Sequence, residues 1–410
     1  MSNLREDADR IVSAAIHDAQ PDSAVRRVLL NRSFPGRVLL VAAGKAAWQM
    51  AHTASDLLGD QIEAGVVVTK YGSSMGPIAN FEVIEAGHPI PDENSFRGAQ
   101  AAIDLVTGLK PEDTVIFLVS GGGSALFEKP LVSPEELADF TGQMLACGAD
   151  VVEINTLRKR LSAVKGGKFG QLCRPAHVLS IVLSDILGDP LDMIASGPAY
   201  PDSATAADAH AIYNKYHLHL SDEALPLLDV ETPKKLDNIE THITGSVRQL
   251  CASAERVCRK LGYEPVVLTD CLSCEAREAG AFLAAIAKYH QDTDRSLAFI
   301  AGGETVVHLT GHGKGGRNQE IALSAAEGIA DLPGTAVFSV GSDGTDGPTD
   351  AAGGYADSTT RSTLKEQGIS IYDVLQENNS YEALKKTGGL ILTGATGTNV
   401  NDVSVLLIRR

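Results

Sequence analysis

Long apolar runs, positive charge and paired cysteines are scarce in this 410-residue chain. No apolar stretch approaches the ~18 residues that predict a membrane span. The first ten residues alternate Arg with Asp and Glu, so they lack the apolar core of a signal peptide. With 44% hydrophobic residues, the composition is that of a folded protein with room for two domains. We therefore expect a cytoplasmic protein.

Acidic residues outnumber basic ones by 52 to 35, which gives a formal net charge of −17 at pH 7. This balance argues against a general nucleic-acid or membrane surface, since both need basic patches, and we expect neither as a partner. An anionic small substrate is still compatible with it, because five basic residues could form a local positive cluster. These residues are Lys45, Arg158, Lys159, Lys165 and Arg317.

The six cysteines are scattered, and only Cys271 and Cys274 have the C-x-x-C spacing of a redox or zinc motif. No second pair matches it, so we predict reduced structural thiols and a reducing compartment. The eleven histidines show no metal-binding spacing. Only His88, between Gly87 and Pro89, and His312, inside a glycine-rich loop, have suggestive neighbours.

Short apolar strands alternate with longer helical patterns, which predicts an α/β fold with a mostly parallel sheet. A lead-in helix is expected over residues 5–30 and another helix over 155–165. The strand rhythm lapses between 200 and 240, and we predict domains at 1–235 and 236–410. The predicted strands are 38–43, 65–69, 82–86, 114–119, 178–183, 241–245, 265–269, 297–301, 305–309, 335–340 and 403–408.

Five of these strands end in glycine and polar residues, where ligands bind in open parallel sheets. The stretch after strand 297–301 is the most informative. It contains Glu304 and then a loop with four glycines that presents Arg317 at a helix start. Glycines allow close approach of a ligand, a helix N-terminus attracts anions, and a guanidinium fits phosphate or carboxylate. The alternative is a structural Glu304–Arg317 pair.

Lys45 and the segment 120–124 (SGGGS) follow two other strands. The Lys45 ammonium either binds an anion at the start of a helix or is simply solvated, and the full Walker pattern is absent. Segment 120–124 is either a nest of backbone donors for phosphate or a plain tight turn. It matches neither a dinucleotide fingerprint nor a nucleophile elbow.

Two acidic turns are candidates for Mg²⁺, which binds one or two carboxylates together with phosphate oxygens. The first contains Asp185, Asp189 and Asp192, and the second contains Asp343, Asp346 and Asp350. Neither has the closing Glu of an EF-hand. The alternative is ordinary turn and helix-cap chemistry, which Asp also serves.

Taken together, these segments resemble the class II glycerate kinases, also called the glycerate 2-kinase or MOFRL type. The similarity extends over nearly the whole chain, and the ordered set of segments is highly specific. The segments are AGKA at 43–46, SGGGSAL at 120–126, NTLRKRLSAVKGG at 155–167, LSDILGDP at 183–190, IASGP at 194–198, GGET at 302–305, GGRNQE at 315–320 and GSDGTDG at 341–347.

The resemblance implies phosphorylation of D-glycerate by ATP to 2-phosphoglycerate, with Mg²⁺. It implies an active site in the cleft between a Rossmann-like N-terminal domain and a smaller α/β C-terminal domain. The expected catalytic residues are Lys45, Arg317 and Asp185, with Asp185 and Asp189 as metal ligands, and a homodimer is left open. The expected substrate- and nucleotide-binding residues are Gly44, Ser120, Gly121, Gly122, Gly123, Ser124, Asn155, Arg158, Lys159, Lys165, Gly303, Glu304, Asn318, Asp343 and Asp346.

Two alternatives belong to other functional classes. Relatives of this family carry the label hydroxypyruvate reductase, but a reductase should show a G-x-G-x-x-G turn, and this sequence has none. A non-catalytic sensor of sugar acids or nucleotides would bind these ligands without turnover. Phosphoryl transfer asks a protein mainly for positioning and charge neutralisation, and glycine turns with Lys, Arg and Asp supply both.

Overall fold

A computed structural model describes residues 3–410 and divides the chain into two compact units. The N-terminal unit is residues 24–244. The C-terminal unit combines residues 245–410 with the segment up to residue 23. Within the described residues, every helix is too short or too polar to cross a lipid bilayer.

Each unit is built on one six-stranded sheet. The first contains β1 (Val38–Ala43), β2 (Ile62–Lys70), β3 (Phe81–Ala86), β4 (Thr114–Val119), β5 (His177–Leu183) and β6 (Ile239–Gly245). The second contains β7 (Glu264–Leu272), β8 (Leu297–Gly303), β9 (Thr335–Gly341), β10 (Gly353–Asp357), β11 (Leu390–Ile391) and β12 (Asp402–Ile408).

Fifteen α-helices lie in the described part of the chain. They are α1 (Leu4–Asp18), α2 (Pro21–Leu29), α3 (Ala47–Leu58), α4 (Glu93–Leu105), α5 (Gly123–Leu126), α6 (Pro134–Ala146), α7 (Val151–Arg160), α8 (Lys168–Leu172), α9 (Ala206–Lys215), α10 (Val247–Lys260), α11 (Ala276–Tyr289), α12 (Arg317–Ile329), α13 (Thr360–Glu366), α14 (Ile371–Gln376) and α15 (Ser380–Thr387).

The sheet of the N-terminal unit has the strand order β3-β2-β1-β4-β5-β6, and β1 to β5 pair in parallel. Every residue of β1 and β4 is buried, as expected of strands covered on both faces by helices. The order reverses between β1 and β4, and such a switch point is where open α/β sheets bind ligands. The prediction of a Rossmann-like parallel sheet is confirmed.

The sheet of the C-terminal unit is mixed, with the order β11-β10-β9-β12-β8-β7. Strand β12 runs antiparallel to both β8 and β9, while β7 and β8 are parallel. Helices α1 and α10 cover one face, and α11 and α12 cover the other. The α/β class of this unit is therefore confirmed.

The units differ from the predicted division at 1–235 and 236–410. Helix α1 packs through Ile11 and Ala15 onto the C-terminal sheet. The strand predicted at 241–245 is part of β6 and extends the N-terminal sheet. The helix predicted over 5–30 is two helices, because Pro21 has no N–H to continue α1 and instead begins α2.

Three further predictions are corrected by the pairing and capping of the backbone. Within residues 3–410, the segment 305–309 is a loop whose one ladder contact is an isolated bridge from Val306 to Glu275. Strand β10 went unpredicted because it begins Gly353-Gly354, which reads as a turn. The helix predicted over 155–165 starts at Val151, where Asp150 caps it, and ends at Arg160.

Candidate functional site

The turn after β1 contacts the turn after β4 at the switch point of the N-terminal sheet. Gly44 has φ +130°, and a β-carbon there would lie 2.5 Å from the carbonyl oxygen of Ser120. The amide of Lys45 donates to the carbonyl of Gly121 at 2.9 Å, and the Ser120 hydroxyl accepts from the amide of Ala46 at 3.1 Å. Only glycine at position 44 allows this approach.

The triple-glycine segment turns from β4 into the short helix α5. Gly122 is in the left-handed region with φ +84° and caps the helix. The amides of Gly121, Gly122 and Ser124 donate to no backbone carbonyl within residues 3–410. The turn can therefore present backbone N–H groups to an anion, as a nest does.

Lys45, His88 and Asp185 surround this turn. A β-carbon on Gly122 would lie 3.2 Å from Cε of Lys45 and 2.9 Å from Cδ2 of His88, and one on Gly121 would overlap the carboxylate of Asp185. Lys45 is exposed, and its ammonium forms no ion pair within the described residues. The structure therefore brings two of the predicted catalytic side chains, Lys45 and Asp185, to one glycine turn.

Asn155 and Ser124 are joined through Ser196. The Ser196 hydroxyl donates to Oδ1 of Asn155 at 2.7 Å and lies 3.1 Å from the hydroxyl of Ser124. Ala195 and Ser196 have φ of +53° and +61°, the left-handed region that non-glycine residues rarely adopt. Such strain persists only where the surrounding structure enforces it, and it is common at functional sites.

Two of the predicted basic ligands, Lys165 and Arg158, support the turn from behind. Lys165 is fully buried and donates to the carbonyls of Ser124 and Phe127 at 2.7 and 3.0 Å. Its ammonium lies 3.4 Å from the buried Glu128, which Arg158 approaches to 3.6 Å. Burial lowers the pKa of Lys165 to about 8, against the opposing charge of Glu128.

The Lys159 ammonium is committed to a buried ion pair. It donates to Asp202 at 2.8 Å, lies 3.6 Å from Asp192, and is completely inaccessible to solvent. In this structure Lys159 therefore stabilises the packing beneath the turn and is not presented to a ligand. Of the four residues of the predicted positive cluster that lie in this unit, Lys45 is exposed, Arg158 is half-buried, and Lys159 and Lys165 are buried.

The first acidic turn separates into two kinds of carboxylate. Asp192 accepts from Ser203 at 2.7 Å as well as facing Lys159, so its contacts are structural. Asp189 has φ +52°, and its buried Oδ1 accepts no hydrogen bond in the described chain. Three or more His, Cys, Asp or Glu side chains nowhere converge as a ready metal cage among residues 3–410. The turn fits only an ion that takes its remaining ligands from a substrate or water.

In the C-terminal unit, the start of β12 lies between the ends of β8 and β9. Asp402 pairs in register with Gly303 on one side and Gly341 on the other. A β-carbon on Gly341 would lie 3.2 Å from Oδ1 of Asp343 and 3.3 Å from Oδ1 of Asp402. The two carboxylates therefore share one edge of the sheet.

Arg317, the first residue of α12, binds Asp402 through two hydrogen bonds. Its Nε and Nη2 donate to the two carboxylate oxygens at 2.5 and 3.0 Å, and Nη1 lies 3.3 Å from the exposed Glu304. Burial opposes the charge of Arg317, but the hydrogen bonds and charge of Asp402 outweigh it and raise the pKa. The guanidinium is thus permanently charged and held in a fixed plane.

Asp346 and Asn318 form the buried cap of α12. The Asp346 carboxylate accepts from the amides of Asn318 and Gln319 at 3.1 and 2.9 Å. Burial nevertheless raises the pKa of Asp346 to about 6, with a smaller contribution from the charge of Asp402. Asn318 also accepts from Ser339 at 2.5 Å. Both residues, predicted as ligands, are engaged in holding the helix that presents Arg317.

Asp343 is half-buried, and its Oδ1 accepts from the amide of Thr345 at 3.0 Å. That bond is an Asx turn, one of the structural roles left open from sequence. The other carboxylate oxygen has no hydrogen bond among the described residues. Asp343 is therefore both a turn residue and, beside Asp402, part of an acidic edge.

A cavity of about 740 Å³ adjoins Arg317 in the same unit. Its walls include the loop from Glu304 to Gly316, and also Pro348 and Asn378. Two buried lining residues, Thr305 and Glu320, each have a side-chain oxygen with no hydrogen-bond partner in the described chain. Burial raises the pKa of Glu320, although Asn378 donates to it at 2.9 Å. The volume is that of a small-molecule site.

The residues that sequence reasoning missed are Asp402, Glu128, Thr305 and Glu320. Asp402 gave a usable signal: it is the polar first residue of the otherwise largely apolar, fully buried strand β12, much as polar residues adjoin the ends of the other site strands. The antiparallel direction of β12, which places its start at this edge, was not predictable from local pattern. Glu128 gave no signal, since it follows an apolar pair with no motif around it.

Comparison with known proteins covers the full chain. Residues 7–229 match the family model described as "Domain of unknown function (DUF4147)", and residues 297–402 match the MOFRL family. The D-glycerate 2-kinase of Thermotoga maritima is 51% identical, and the glycerate 2-kinase of Pyrococcus horikoshii is 40% identical, each over 99% of this chain and at least 98% of the relative.

One relative carries a different name, and one solved structure extends the likeness to three dimensions. An Agrobacterium vitis protein named as a hydroxypyruvate reductase is 37% identical over 99% of this chain and 95% of its own. The crystal structure of the glycerate kinase from Thermotoga maritima superposes with a TM-score of 0.94, covering 99% of both chains at 51% identity.

Proposed function

Because the chain belongs to the class II glycerate kinase family, we propose that it transfers the γ-phosphoryl group of ATP to D-glycerate and forms 2-phosphoglycerate. The observation that carries this proposal is the turn at the switch point of the N-terminal sheet. There the exposed Lys45 side chain lies beside Gly122, next to amides that donate to no backbone carbonyl in the described part of the chain. Such a site neutralises an anionic group without offering a nucleophile, as phosphoryl transfer requires.

Lys45 and Arg317 are proposed to neutralise charge on the substrates. Lys45 acts as a mobile point charge, while Arg317 acts as a planar fork whose orientation Asp402 fixes. The proposal assigns Nη1, on the edge of the guanidinium away from Asp402, to the substrate. Preorganised charges of this kind cost no reorganisation during the reaction.

Mg²⁺ is proposed to bind Asp185 and Asp189. The unsatisfied buried oxygen of Asp189 and the position of Asp185 against Gly121 fit an ion that also contacts phosphate oxygens. When bound, the ion would supply positive charge that shields the phosphates. The protein residues supply the remaining functions, which are to orient the substrates and to hold the glycine turn.

The cavity beside Arg317 is proposed to bind the nucleotide. A three-carbon acid is far too small to fill about 740 Å³, whereas a nucleotide is comparable in size. Val307 and Pro348 offer apolar contacts, and Thr305 and Glu320 offer unsatisfied polar atoms for a base. In a Val307→Trp variant we expect the equilibrium affinity for ADP to fall about tenfold or more, because the indole would occupy the cavity. Unchanged ADP affinity in calorimetry would show that the nucleotide does not bind in this cavity.

The experiment that tests the function is an ADP-release assay with D-glycerate, with and without Mg²⁺. The proposal predicts release that depends on both D-glycerate and the metal. A hydroxypyruvate reductase would instead oxidise a nicotinamide cofactor, and a sensor would bind ligand without releasing ADP. The absence of a dinucleotide turn and the identities of 51% and 40% to named kinases favour the kinase.

We also infer a cytoplasmic location without nucleic-acid or membrane partners. None of the six cysteines forms a disulfide in the structure, which suits a reducing compartment. The net charge of −17 offers no broad basic surface. Fractionation of the source cells tests the location.

A further inference from the structure

His88 lies at the glycine turn of the N-terminal unit. It lies two residues after the end of β3, at the carboxyl edge of the N-terminal sheet. A β-carbon on Gly122 would lie 3.1 Å from Nε2 of its ring and 3.2 Å from Cε of Lys45. The imidazole and the Lys45 side chain therefore border the same small space above Gly122.

Neither ring nitrogen of His88 has a hydrogen bond or ion pair within residues 3–410, although the side chain is half-buried. A histidine with a structural role in a partly buried position normally uses at least one ring nitrogen in the protein. Here Nε2 is directed to the space beside Lys45 and Gly122, and is free to engage a substrate.

Burial and two nearby ammonium groups favour the neutral form of the His88 ring. Burial lowers its pKa below the usual value, and the ammonium groups of Lys45 and Lys70 lower it further. Two carboxylates of the surrounding elements contact other groups: Asp92 caps α4 and accepts from Tyr71 at 2.7 Å, and the Asp185 carboxylate lies against Gly121. At neutral pH the imidazole can therefore accept a proton.

We propose that His88 is the general base that receives the proton of the attacking hydroxyl group of glycerate. This inference rests on the proposed kinase function. In the step, the 2-hydroxyl oxygen forms a bond to the γ-phosphorus while its proton moves to Nε2 of His88. The bond from the γ-phosphorus to the β,γ-bridging oxygen breaks, and its electron pair leaves with ADP. The imidazolium then returns its proton to water.

A His88→Gln variant tests the role, because glutamine keeps a polar side chain of similar size but cannot accept the proton. General bases contribute about 10²–10⁴-fold, so we expect kcat to fall about 100-fold or more while both KM values change less than about threefold. The wild-type decline of kcat/KM on the acidic side should disappear in the variant. His177→Gln, an exposed histidine at the opposite, amino end of β5, is the matched control and should keep wild-type kinetics.

A His88→Ala variant separates base catalysis from a packing role. Added imidazole should restore part of its activity, with a rescue that grows as the unprotonated fraction of imidazole rises with pH. Folding of both variants is checked by thermal melting, and a His88→Asn variant replaces any that fails to fold.

Three results decide the matter. A kcat within about threefold of wild type in His88→Gln overturns the role of His88. So does a reduced activity that keeps the wild-type acidic limb and shows no imidazole rescue. If the wild-type protein itself releases no ADP with D-glycerate, the kinase proposal fails, and not the assignment of His88 alone.

Discussion

Replacing Arg317 by Lys should damage both stability and turnover, because the bidentate contact to Asp402 cannot be made by an ammonium. Two charge-assisted hydrogen bonds, at 2.5 and 3.0 Å, reduce to at most one. Asp402 is buried, so its carboxylate is left partly unpaired in a poorly solvated position.

The expected loss of stability is about 1–3 kcal/mol, below the 3–5 kcal/mol of a fully buried pair. The expected loss is smaller because the Arg317 side chain is 34% exposed and therefore partly solvated. In a unit of this size the loss corresponds to a fall in Tm of roughly 2–10 °C. Turnover should fall about 100-fold or more, as when other preorganised contacts to transition-state charge are removed.

Calorimetry and steady-state kinetics on the same preparation provide the measurement. Glu304→Gln is a suitable comparison, since Glu304 is exposed and its carboxylate lies 3.3 Å from Nη1, on the side of the guanidinium away from Asp402. It should cost less than about 1 kcal/mol. A folded Arg317→Lys protein with wild-type kcat/KM would refute the role given to the guanidinium fork.

Three other predictions concern Lys45, the acidic turn and Asp346. Lys45→Met should lower kcat/KM by about 100-fold or more. The control is Lys110→Met, which replaces an exposed lysine near the amino end of β4 in the same unit and should leave kcat/KM unchanged. Equal effects of the two substitutions would contradict the proposed role of Lys45. In Asp185→Asn or Asp189→Asn, the Mg²⁺ concentration needed for half-maximal rate should rise by a larger factor than the glycerate KM does. An unchanged Mg²⁺ titration in both variants would show that these residues serve only the structure of the turn. The folded-state pKa of Asp346, about 6, lies above the usual value near 4, so its stabilising contribution is complete below about pH 4 and is lost as pH rises through about 6. Urea unfolding should therefore show wild type losing about 2 kcal/mol relative to Asp346→Asn between pH 4 and 7, whereas parallel pH dependences would exclude the shift.

The two central strands of the N-terminal sheet, β1 and β4, were predictable because each is a short, largely apolar run followed by a glycine-containing turn. Strands β1 and β4 have the predicted bounds, and their polar ends meet at the switch point as expected of parallel strands. Pattern and topology agree there because every residue of these strands is buried, so the apolar signal is continuous.

The C-terminal unit was harder to predict because pairing overrides local pattern. Residues 305–309 alternate like a strand but form only the isolated bridge at Val306 among the described residues, whereas Gly353-Gly354 looks like a turn and pairs with β9. A β-carbon at Gly353 would overlap the carbonyl of Ser339, so glycine there serves close packing. In this unit, pairing with neighbouring strands decides which segments become strands, and local strand propensity does not.

Sequence patterns predicted several basic residues for the candidate site but not which of them are available to a ligand. Lys45, Lys159 and Lys165 look equivalent along the chain, yet Lys45 is exposed and the other two are fully buried among protein partners. That difference depends on Glu128 and Asp202, which are distant in sequence from the lysines they face. Availability is thus a property of long-range packing.

The most direct test of the proposed function is phosphorus NMR of the reaction of the purified protein with ATP, Mg²⁺ and D-glycerate. The account predicts that ATP is converted to ADP with equimolar appearance of 2-phosphoglycerate, and that no product forms when D-glycerate is omitted. Formation of 3-phosphoglycerate would contradict attack by the 2-hydroxyl group. Release of inorganic phosphate alone, or no consumption of ATP, would contradict the kinase itself.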